Sequence, residues 1–392
     1  MRIVLTGGGT GGHIIPFEPI VEALRTQFME RGKSLPKWLD PETLELVFVG
    51  VVTPEVSDLF SRYSVPVRNV PSGKLRRYAS GQNIIDILFR VPIGILRALI
   101  VIWQLMPDVI ISKGGYGSLP IVLAAMVYRI PVLVHESDVV PGAANSLLFR
   151  FAAAITVGYA HTLQSMSRWV KKSYLTGTPA RSQLRNLSAT DGKRAFGIPE
   201  NEFVLLVFGG SQGAQQLNEA LLKILPRLIP DVAIIHVTGE EHFNSVSTVA
   251  KEILGHSPRQ DLYQVHGYLK NNMLLALAAA DAIVSRAGAT TLSELAAARK
   301  PALLIPLANA AQDHQRKNAQ LFEAAGAALV LDPTNMGMNL FEQNIRRLIS
   351  HDQLRQTLIK NLAQLDAPEA ARKIAGMAFN LAQGLRPSAG KK

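Results

Sequence analysis

The sequence predicts an α/β protein built from two doubly wound parallel sheets. Short apolar, β-branched segments alternate with segments of helical spacing through the 392 residues, of which 48% are apolar. This length exceeds one ordinary core, and a buried strand followed by a glycine loop and a helix begins at Met1 and again at Phe203. We therefore predict domains at 1–180 and 202–365, a linker at 181–201, and a C-terminal helix and basic tail at 366–392.

The composition excludes several classes of protein. There is no cysteine, which removes disulfides, thiolate chemistry and cysteine-ligated metal, and fits a reducing compartment. The first predicted strand begins at Arg2, so we expect no secretory signal. The net charge of +11 indicates an anionic partner such as nucleic acid, a membrane surface or a phosphorylated substrate. Aromatic residues are only 6% and do not interleave with basic ones, so we expect no nucleic-acid partner.

The first predicted strand, Arg2–Thr6, runs into a glycine loop that ends at His13. Unpaired amides of such a loop and helix start favour a phosphate or another anion, and the alternative is a tight turn without a ligand. A dinucleotide fold should place an acid after the next strand, at residues 44–49, and none is there. A P-loop would have lysine where His13 stands. An imidazole at this point suits a general base.

Two further strands of this domain end in loops with polar or glycine residues. Residues 108–112 lead into the glycine loop 113–118, and 131–135 lead into Glu136-Ser137-Asp138 and the helix start at 141–145. In an open parallel sheet these strand ends gather at one edge, so we expect a ligand there.

The most hydrophobic stretch is Ile84–Met106. It reaches membrane-spanning length, but Asp86, Arg90 and Arg97 interrupt it and Pro92 bends it, which argues against a spanning helix. Two interpretations remain open: an ordinary buried helix, or a helix whose apolar face lies in a bilayer interface with arginines at the headgroups.

In the second domain a strand at 282–285 turns at Gly288 into a helix that carries Thr291 and Glu294. Amides at the helix start suit a diphosphate, and a Glu294 carboxylate on the first turn suits a ribose diol. The alternative is a capping box made by Thr291 and Glu294.

The order of the motifs resembles one enzyme family. GGGTGGH at 7–13, GGYGS at 114–118, HES with PGAAN at 135–145, TGTPAR at 176–181, GGSQGA at 209–214, residues 286–294 and DHQRKNA at 313–319 follow each other in the sequence. This set resembles the bacterial lipid-I N-acetylglucosaminyltransferases of peptidoglycan synthesis, the MurG family, over 1–331. The resemblance implies two Rossmann-like domains that face each other across a cleft, the GT-B type of glycosyltransferase.

The resemblance also implies a reaction. N-acetylglucosamine passes with inversion from UDP-N-acetylglucosamine to the muramic acid 4-hydroxyl of undecaprenyl-diphospho-N-acetylmuramoyl-pentapeptide, lipid I, giving lipid II. No cofactor and no metal are expected, since helix dipole, backbone amides and Arg181 would stabilise the leaving UDP. The implied partners are the lipid-linked diphosphate acceptor, the anionic inner-membrane surface and other proteins of cell-wall synthesis or division. The implied location is peripheral, on the cytoplasmic face of the inner membrane, which favours a membrane-facing interpretation of Ile84–Met106.

Matching positions carry the expected roles. His13 matches the proposed base, and Asp138 stands where the family has an asparagine that touches the donor sugar, so its carboxylate could accept a sugar hydroxyl proton or assist the base. The expected acceptor contacts are Gly114, Gly115, Tyr116 and Asn145. The expected donor contacts are Thr10, Gly11, Gly12, Arg181, Ser211, Gln212, Leu269, Ala289, Thr290, Thr291, Leu292, Ser293, Glu294 and Gln315.

Three other functions stay open. A related transferase could use another lipid acceptor. A UDP-sugar epimerase of similar build would need neither an acceptor nor a membrane surface. A dinucleotide oxidoreductase is disfavoured because no acid follows residue 49.

Overall fold

The computed structural model describes residues 1–8, 11–31, 43–73, 90–186, 188–210, 215–255, 257–270, 272–308 and 313–387. The chain divides into two compact units. Unit 1 comprises Met1–Ala180 and Ala367–Lys392, and unit 2 comprises Arg181–Asp366.

Unit 1 contains a seven-stranded sheet in which every described strand pairing is parallel. Its strands are β1 (Arg2–Thr6), β2 (Glu45–Gly50), β3 (Val67–Asn69), β4 (Val109–Ser112), β5 (Val132–Glu136), β6 (Ala154–Val157) and β7 (Ser173–Leu175). Its described helices are α1 (Gly11–Ile14), α2 (Phe17–Arg31), α3 (Pro54–Arg62), α4 (Val91–Leu105), α5 (Leu119–Val127), α6 (Ala143–Leu148), α7 (Ala160–Ser165) and, at the end of the chain, α16 (Ala370–Ala382).

The sheet of unit 1 is buried on both faces. In β1, Ile3 and Leu5 belong to one apolar cluster and Val4 to another, as alternating side chains of a strand must when helices cover both sides. The strand order is β3-β2-β1-β4-β5-β6-β7, so the direction of winding reverses between β1 and β4. The loops after these two strands therefore diverge to opposite faces, which leaves a crevice at the carboxyl edge where ligands bind in such folds.

Helix α16 completes the core of unit 1. It packs against α2 and buries Ile374, Met377 and Phe379 in the same cluster as Ile3 and Leu5. The carbonyl of Arg372 accepts a hydrogen bond from Gln27 Nε2 at 2.6 Å. The last segment of the sequence is thus part of the first unit.

Unit 2 contains a six-stranded parallel sheet in the order β10-β9-β8-β11-β12-β13. Its strands are β8 (Val204–Phe208), β9 (Ala233–Val237), β10 (Tyr263–His266), β11 (Ala282–Ser285), β12 (Ala302–Leu304) and β13 (Leu329–Val330). Its described helices are α8 (Ala189–Ala195), α9 (Gln215–Leu228), α10 (Glu240–Leu254), α11 (Asn272–Ala279), α12 (Ala289–Ala298), α13 (His314–Ala324), α14 (Met338–Ser350) and α15 (Asp352–Leu365). Winding reverses between β8 and β11, so the loop that opens α12 lies at the ligand-binding edge.

The segment 181–201, expected as a linker, is part of unit 2. A 3₁₀ turn at Ser182–Arg185 packs on α12, and α8 packs on α11. Close packing requires Gly192, since a Cβ there would lie 2.4 Å from the Ala279 amide nitrogen. The two parallel-sheet domains are as predicted, whereas β13 and the helices α14 and α15 were not assigned from the sequence.

Candidate active site

Two glycine loops at the carboxyl edge of unit 1 pack directly on each other. A Cβ on Gly117 would lie 2.7 Å from the Gly7 carbonyl oxygen, and one on Gly115 would lie 3.0 Å from the Gly8 Cα. These glycines therefore allow the two loops to pack closely, whether or not they also bind an anion. Gly12 differs, because a Cβ there would meet none of the described atoms within 4 Å.

His13 lies in α1, beside these loops. Its Nδ1 is 3.2 Å from the carbonyl oxygen of Lys113, the residue that follows β4. A carbonyl can only accept, so this contact favours the tautomer with its proton on Nδ1 and its lone pair on Nε2. A Cβ on Gly115 would lie 3.5 Å from Nε2. The basic nitrogen thus faces the loop after β4, where the acceptor is predicted.

The end of β5 holds a buried carboxylate, Glu136. It accepts hydrogen bonds from the amides of Asp138 at 2.9 Å and Gly142 at 3.1 Å, and from Asn145 Nδ2 at 2.8 Å. Asn145 is itself buried and leaves no room beside it, since a Cβ on Gly114 would lie 1.7 Å from its Oδ1. This Asn145 side chain is therefore engaged inside the loop cluster.

The predicted acceptor residues differ in what they present. Gly114 and Gly115 have φ angles of +80° and +79°, a backbone that glycine adopts without strain. Tyr116 is the one whose side chain is exposed, at 36%. The acceptor roles of all four residues remain predictions.

Lys113 lies among the candidate residues of unit 1, although no role was predicted for it from the sequence. It is 2% exposed, and its Nζ donates a hydrogen bond to Ser137 Oγ. Burial lowers the pKa of Lys113, and the carboxylates of Glu136 and Asp138 oppose that shift. In the sequence, such a role is indicated only by the position of Lys113 directly between a buried strand and a pair of glycines.

The charges around Lys113 influence one another. Burial raises the pKa of Glu136, and the neighbouring Asp138 raises it further. Burial also raises the pKa of Tyr159, with a second contribution from Asp138. Burial and then Lys113 hold the pKa of His135 well below its ordinary value. Asp138 therefore belongs to a cluster of ionisable groups under the loops.

In unit 2, α12 begins at Ala289 and not at the position a capping box requires. Its N-cap is Gly288, which makes no side-chain capping hydrogen bond, so Thr291 is already inside the helix. Glu294 consequently lies on the second turn, and its placement on the first turn was wrong. Gly288 has an extended backbone and is the N-cap, three residues before Thr291, so the helix begins earlier than a capping box at Thr291 would place it. The amides of a first turn have no intrahelical partner, which suits an anion at this helix start.

Glu294 is paired with Arg181, a contact between two predicted donor residues. Arg181 Nε lies 2.6 Å from Glu294 Oε1, and the two side chains are only 8% and 9% exposed. The 3₁₀ turn that follows Arg181 packs on α12 and brings the guanidinium to the carboxylate. The alternative of a capping role for Glu294 does not hold, because its carboxylate is engaged with Arg181.

Other side chains hold the loops near α12. Arg286 Nη1 donates to the carbonyls of Ile305 and Pro306, and Asn318 Nδ2 donates to the Ala287 carbonyl at 3.1 Å. Gln315 Oε1 accepts from the Leu307 amide at 3.0 Å.

Of the remaining donor positions, Gly11 is half-buried and Gly12 is exposed, both in α1. Ala289, Thr290, Leu292, Ser293 and Leu269 are buried. Thr10, Ser211 and Gln212 lie outside the described residues.

Helix α4 carries large apolar side chains on its solvent side. Small or medium residues, Gly94, Ala98 and Ile102, face the core, and a Cβ on Gly94 would lie 2.2 Å from the Pro71 carbonyl oxygen. A second apolar stripe is exposed, with values between 54% and 64%: Ile93, Leu96, Ile100 and Trp103. We call this stripe the α4 surface. An exposed apolar patch of this kind is typical of a protein or membrane contact.

In the part of the chain that the structure describes, no helix has the length and apolarity needed to cross a membrane. Within the same ranges, no three or more His, Asp or Glu side chains are grouped to hold a metal ion.

Comparison with known proteins defines the class of this chain. Residues 45–157 match the model of the glycosyltransferase family 28 N-terminal domain, and residues 204–374 match that of the family's C-terminal domain. The chain is thus a glycosyltransferase of family 28.

Curated relatives define the particular family. The chain is 33% identical to the UDP-N-acetylglucosamine–N-acetylmuramyl-(pentapeptide) pyrophosphoryl-undecaprenol N-acetylglucosamine transferase of Lachnospira eligens, over 95% of this chain and 97% of the relative. It is 34% identical to the enzyme of the same name from Lachnoclostridium phytofermentans, over 96% and 98%. The chain belongs to this transferase family, which confirms the resemblance carried by the ordered motifs.

Solved structures agree on the fold. The crystal structure of Acinetobacter baumannii MurG matches with a TM-score of 0.68 and 24% identity, over 97% of this chain and 99% of that one. A UDP-N-acetylglucosamine 2-epimerase from Neisseria meningitidis bound to UDP-N-acetylglucosamine matches with a TM-score of 0.64 and 14% identity, over 97% and 100%. These likenesses concern the fold alone.

Proposed function

We propose that this protein transfers N-acetylglucosamine from UDP-N-acetylglucosamine to the muramic acid 4-hydroxyl of lipid I, with inversion and without a metal ion. The observation that carries the proposal is His13, held by the Lys113 carbonyl beside two glycine loops at the switch point of unit 1, in a chain of this transferase family. The Nε2 of His13 takes the proton of the acceptor hydroxyl as that oxygen attacks the anomeric carbon.

The donor is assigned to unit 2. The first-turn amides of α12 hold the diphosphate, and their fixed dipoles stabilise the charge that develops on the leaving UDP. Glu294 accepts hydrogen bonds from the ribose hydroxyls, and its contact with Arg181 orients the carboxylate. The cation of Arg181 also contributes positive charge near the diphosphate. Asp138 accepts a sugar hydroxyl proton or assists the base.

Membrane docking is assigned to the α4 surface in unit 1. A polyprenyl-linked acceptor stays in the bilayer, so the enzyme must reach it there. The exposed stripe supplies an apolar face, while Arg90 and Arg97, both exposed, supply positive charge for anionic headgroups. Each well-placed basic residue contributes on the order of 1 kcal/mol at an anionic surface. Lys74, Arg76 and Arg77, three basic residues that precede this helix in the sequence, lie outside the described residues. A peripheral position on the cytoplasmic face of the inner membrane is part of this proposal.

One assay tests the reaction. Purified protein is incubated with UDP-N-acetylglucosamine and lipid I, with and without EDTA, and the products are separated. We expect lipid II and UDP at equal rates in both samples. Product formed only with another lipid acceptor indicates a related transferase, and a 2-epimer of the donor formed without acceptor indicates an epimerase. Activity lost in EDTA and restored by magnesium contradicts the metal-free mechanism.

A further inference from the structure

Lys113 is placed between two parts of the candidate active site. Strand β4 lies between β1 and β5 in the sheet, and Lys113 follows it directly. On one side its carbonyl oxygen contacts His13 Nδ1, and on the other its ammonium group donates to Ser137 Oγ after β5. One residue thus joins the predicted base to the segment 136–138.

The Lys113 side chain is so deeply buried that its ammonium group needs an anionic partner. Lys113 is 2% exposed and Glu136 is 3% exposed. A buried ammonium without an anionic partner is costly, and so is a buried carboxylate without a cation. Asp138 lies two residues after Glu136 and adds a second carboxylate at the end of β5.

We propose that Lys113 is a positioning residue whose ammonium group supplies the counter-charge for Asp138 and Glu136 and holds the 136–138 segment in place beside His13. The Asp138 carboxylate then stays in the orientation that the transfer requires. This inference rests on the proposed function, in which His13 and Asp138 act on the substrates.

The neighbouring contacts fit this role. The Asp138 amide is held by Glu136, and the Asp138 carbonyl oxygen accepts from Thr162 Oγ1 at 3.2 Å. The backbone of this segment is therefore fixed from two sides, and the Lys113 ammonium fixes it from a third through Ser137. With the backbone held in this way, loss of the ammonium acts chiefly on the charge and orientation of the two carboxylates.

A double-mutant cycle between Lys113 and Asp138 tests the proposal. The variants are Lys113→Met, Asp138→Asn and the double variant, with kcat, KM for the donor and UDP affinity measured for each. Lys113→Met keeps the backbone carbonyl that contacts His13, so it removes only the ammonium. We expect about a thirtyfold fall in kcat, because two carboxylates lose their cation, with UDP affinity unchanged.

The double variant decides the outcome. If Lys113 balances the charge of Asp138, the two effects are coupled, and Asp138→Asn should lower kcat at least about tenfold less in Lys113→Met than in the parent. If the losses in kcat of the two single variants simply multiply in the double variant, the proposal is overturned. So would a Ser137→Ala variant that reproduces the full loss, since the hydrogen bond and not the charge would then explain it.

Two comparisons separate this result from other causes. Lys300→Met removes a half-buried lysine of unit 2 whose Nζ donates to the carbonyls of Ala278 and Ala280, and it should leave kcat within about twofold of the parent. If Asp138→Asn alone matches the parent in kcat, the proposed role of Asp138 in the chemistry fails, while the cycle still reports whether Lys113 balances its charge.

Discussion

His13 shows how a single contact favours one tautomer of a predicted base. The Lys113 carbonyl oxygen accepts from Nδ1, which directs the lone pair of Nε2 toward the loop after β4. In the proposed function, a base held in this way needs no change of tautomer before it takes a proton from the acceptor.

We predict that His13→Ala lowers kcat by about a hundredfold or more while donor affinity changes little. His13→Asn should be equally slow, because its side-chain amide can still donate to the Lys113 carbonyl but cannot act as a base. Steady-state kinetics with lipid I and calorimetry with UDP measure the two effects. An active His13→Asn variant would mean that the histidine only positions the loop.

The Glu294 carboxylate contacts an arginine and is also the proposed ligand of the ribose. It accepts from buried Arg181, and in the proposed function it holds the ribose. Removal of the carboxylate therefore affects the stability of unit 2 as well as UDP binding. The two effects are separated by a substitution that keeps an acceptor for Arg181.

We predict that Glu294→Gln, whose amide oxygen can still accept from Arg181, weakens UDP binding by roughly 1.5–3 kcal/mol, the value of a lost charge-assisted hydrogen bond. Glu342→Gln is the matched control, because Glu342 is also a buried glutamate of unit 2 paired with arginines, Arg227 and Arg346. Calorimetry should find UDP affinity unchanged in the control. Equal UDP affinity in both variants would remove Glu294 from the donor site.

At the scale of elements, α4 has two apolar faces for different reasons. Glycine and alanine on one face allow the close approach of Pro71 and α5, while isoleucine, leucine and tryptophan on the other remain in solvent. Burial in the core of unit 1 explains the first face only.

We predict that Arg90→Glu with Arg97→Glu releases the protein from anionic vesicles and leaves UDP binding intact. Binding of the parent should weaken with salt, since charges are screened over about 8 Å at physiological ionic strength. Sedimentation with vesicles measures both effects. The pair Arg194→Glu and Arg347→Glu makes the same change of charge on exposed residues of unit 2 and should still sediment. If the α4 variant sediments like the parent, docking lies elsewhere.

At the scale of the whole molecule, the chain leaves unit 1 at Ala180 and returns to it at Ala367. The two units have separate apolar cores, with Phe379 fully buried in the first and Phe341 fully buried in the second. The sequence supplies a probe that distinguishes them, because all three tryptophans, Trp38, Trp103 and Trp169, precede Ala180.

We predict that Phe379→Ala destabilises unit 1 by about 3–5 kcal/mol, the cost of a large core cavity. Tryptophan fluorescence during urea unfolding should show this as a lower midpoint. Phe341→Ala creates a comparable cavity in unit 2 and should shift the unfolding followed by circular dichroism with a smaller effect on the fluorescence midpoint. A fluorescence midpoint unaffected by Phe379→Ala would contradict the assignment of α16 to unit 1.

The amino-acid sequence by itself determined the two sheets, most of their strands, the glycine loops and the family. Buried parallel strands are continuous apolar runs, and their loops carry glycine or polar residues at fixed positions, so both are visible locally. The turn at Gly288 into α12 was also predicted, but Glu294 was wrongly placed on the first turn, because an extended glycine without a capping side chain gives little indication of where a helix starts.

Only the tertiary structure decided which distant residues meet. Glu294 pairs with Arg181, which lies 113 positions earlier in the sequence. Lys113 contacts Ser137 at the end of the neighbouring strand, and α16 packs on α2 from the opposite end of the chain. Such contacts depend on how strands are ordered and where helices pack, and they leave no periodic pattern in the sequence. The same holds for α4, whose exposed stripe became evident only when its other face was seen to fill the core.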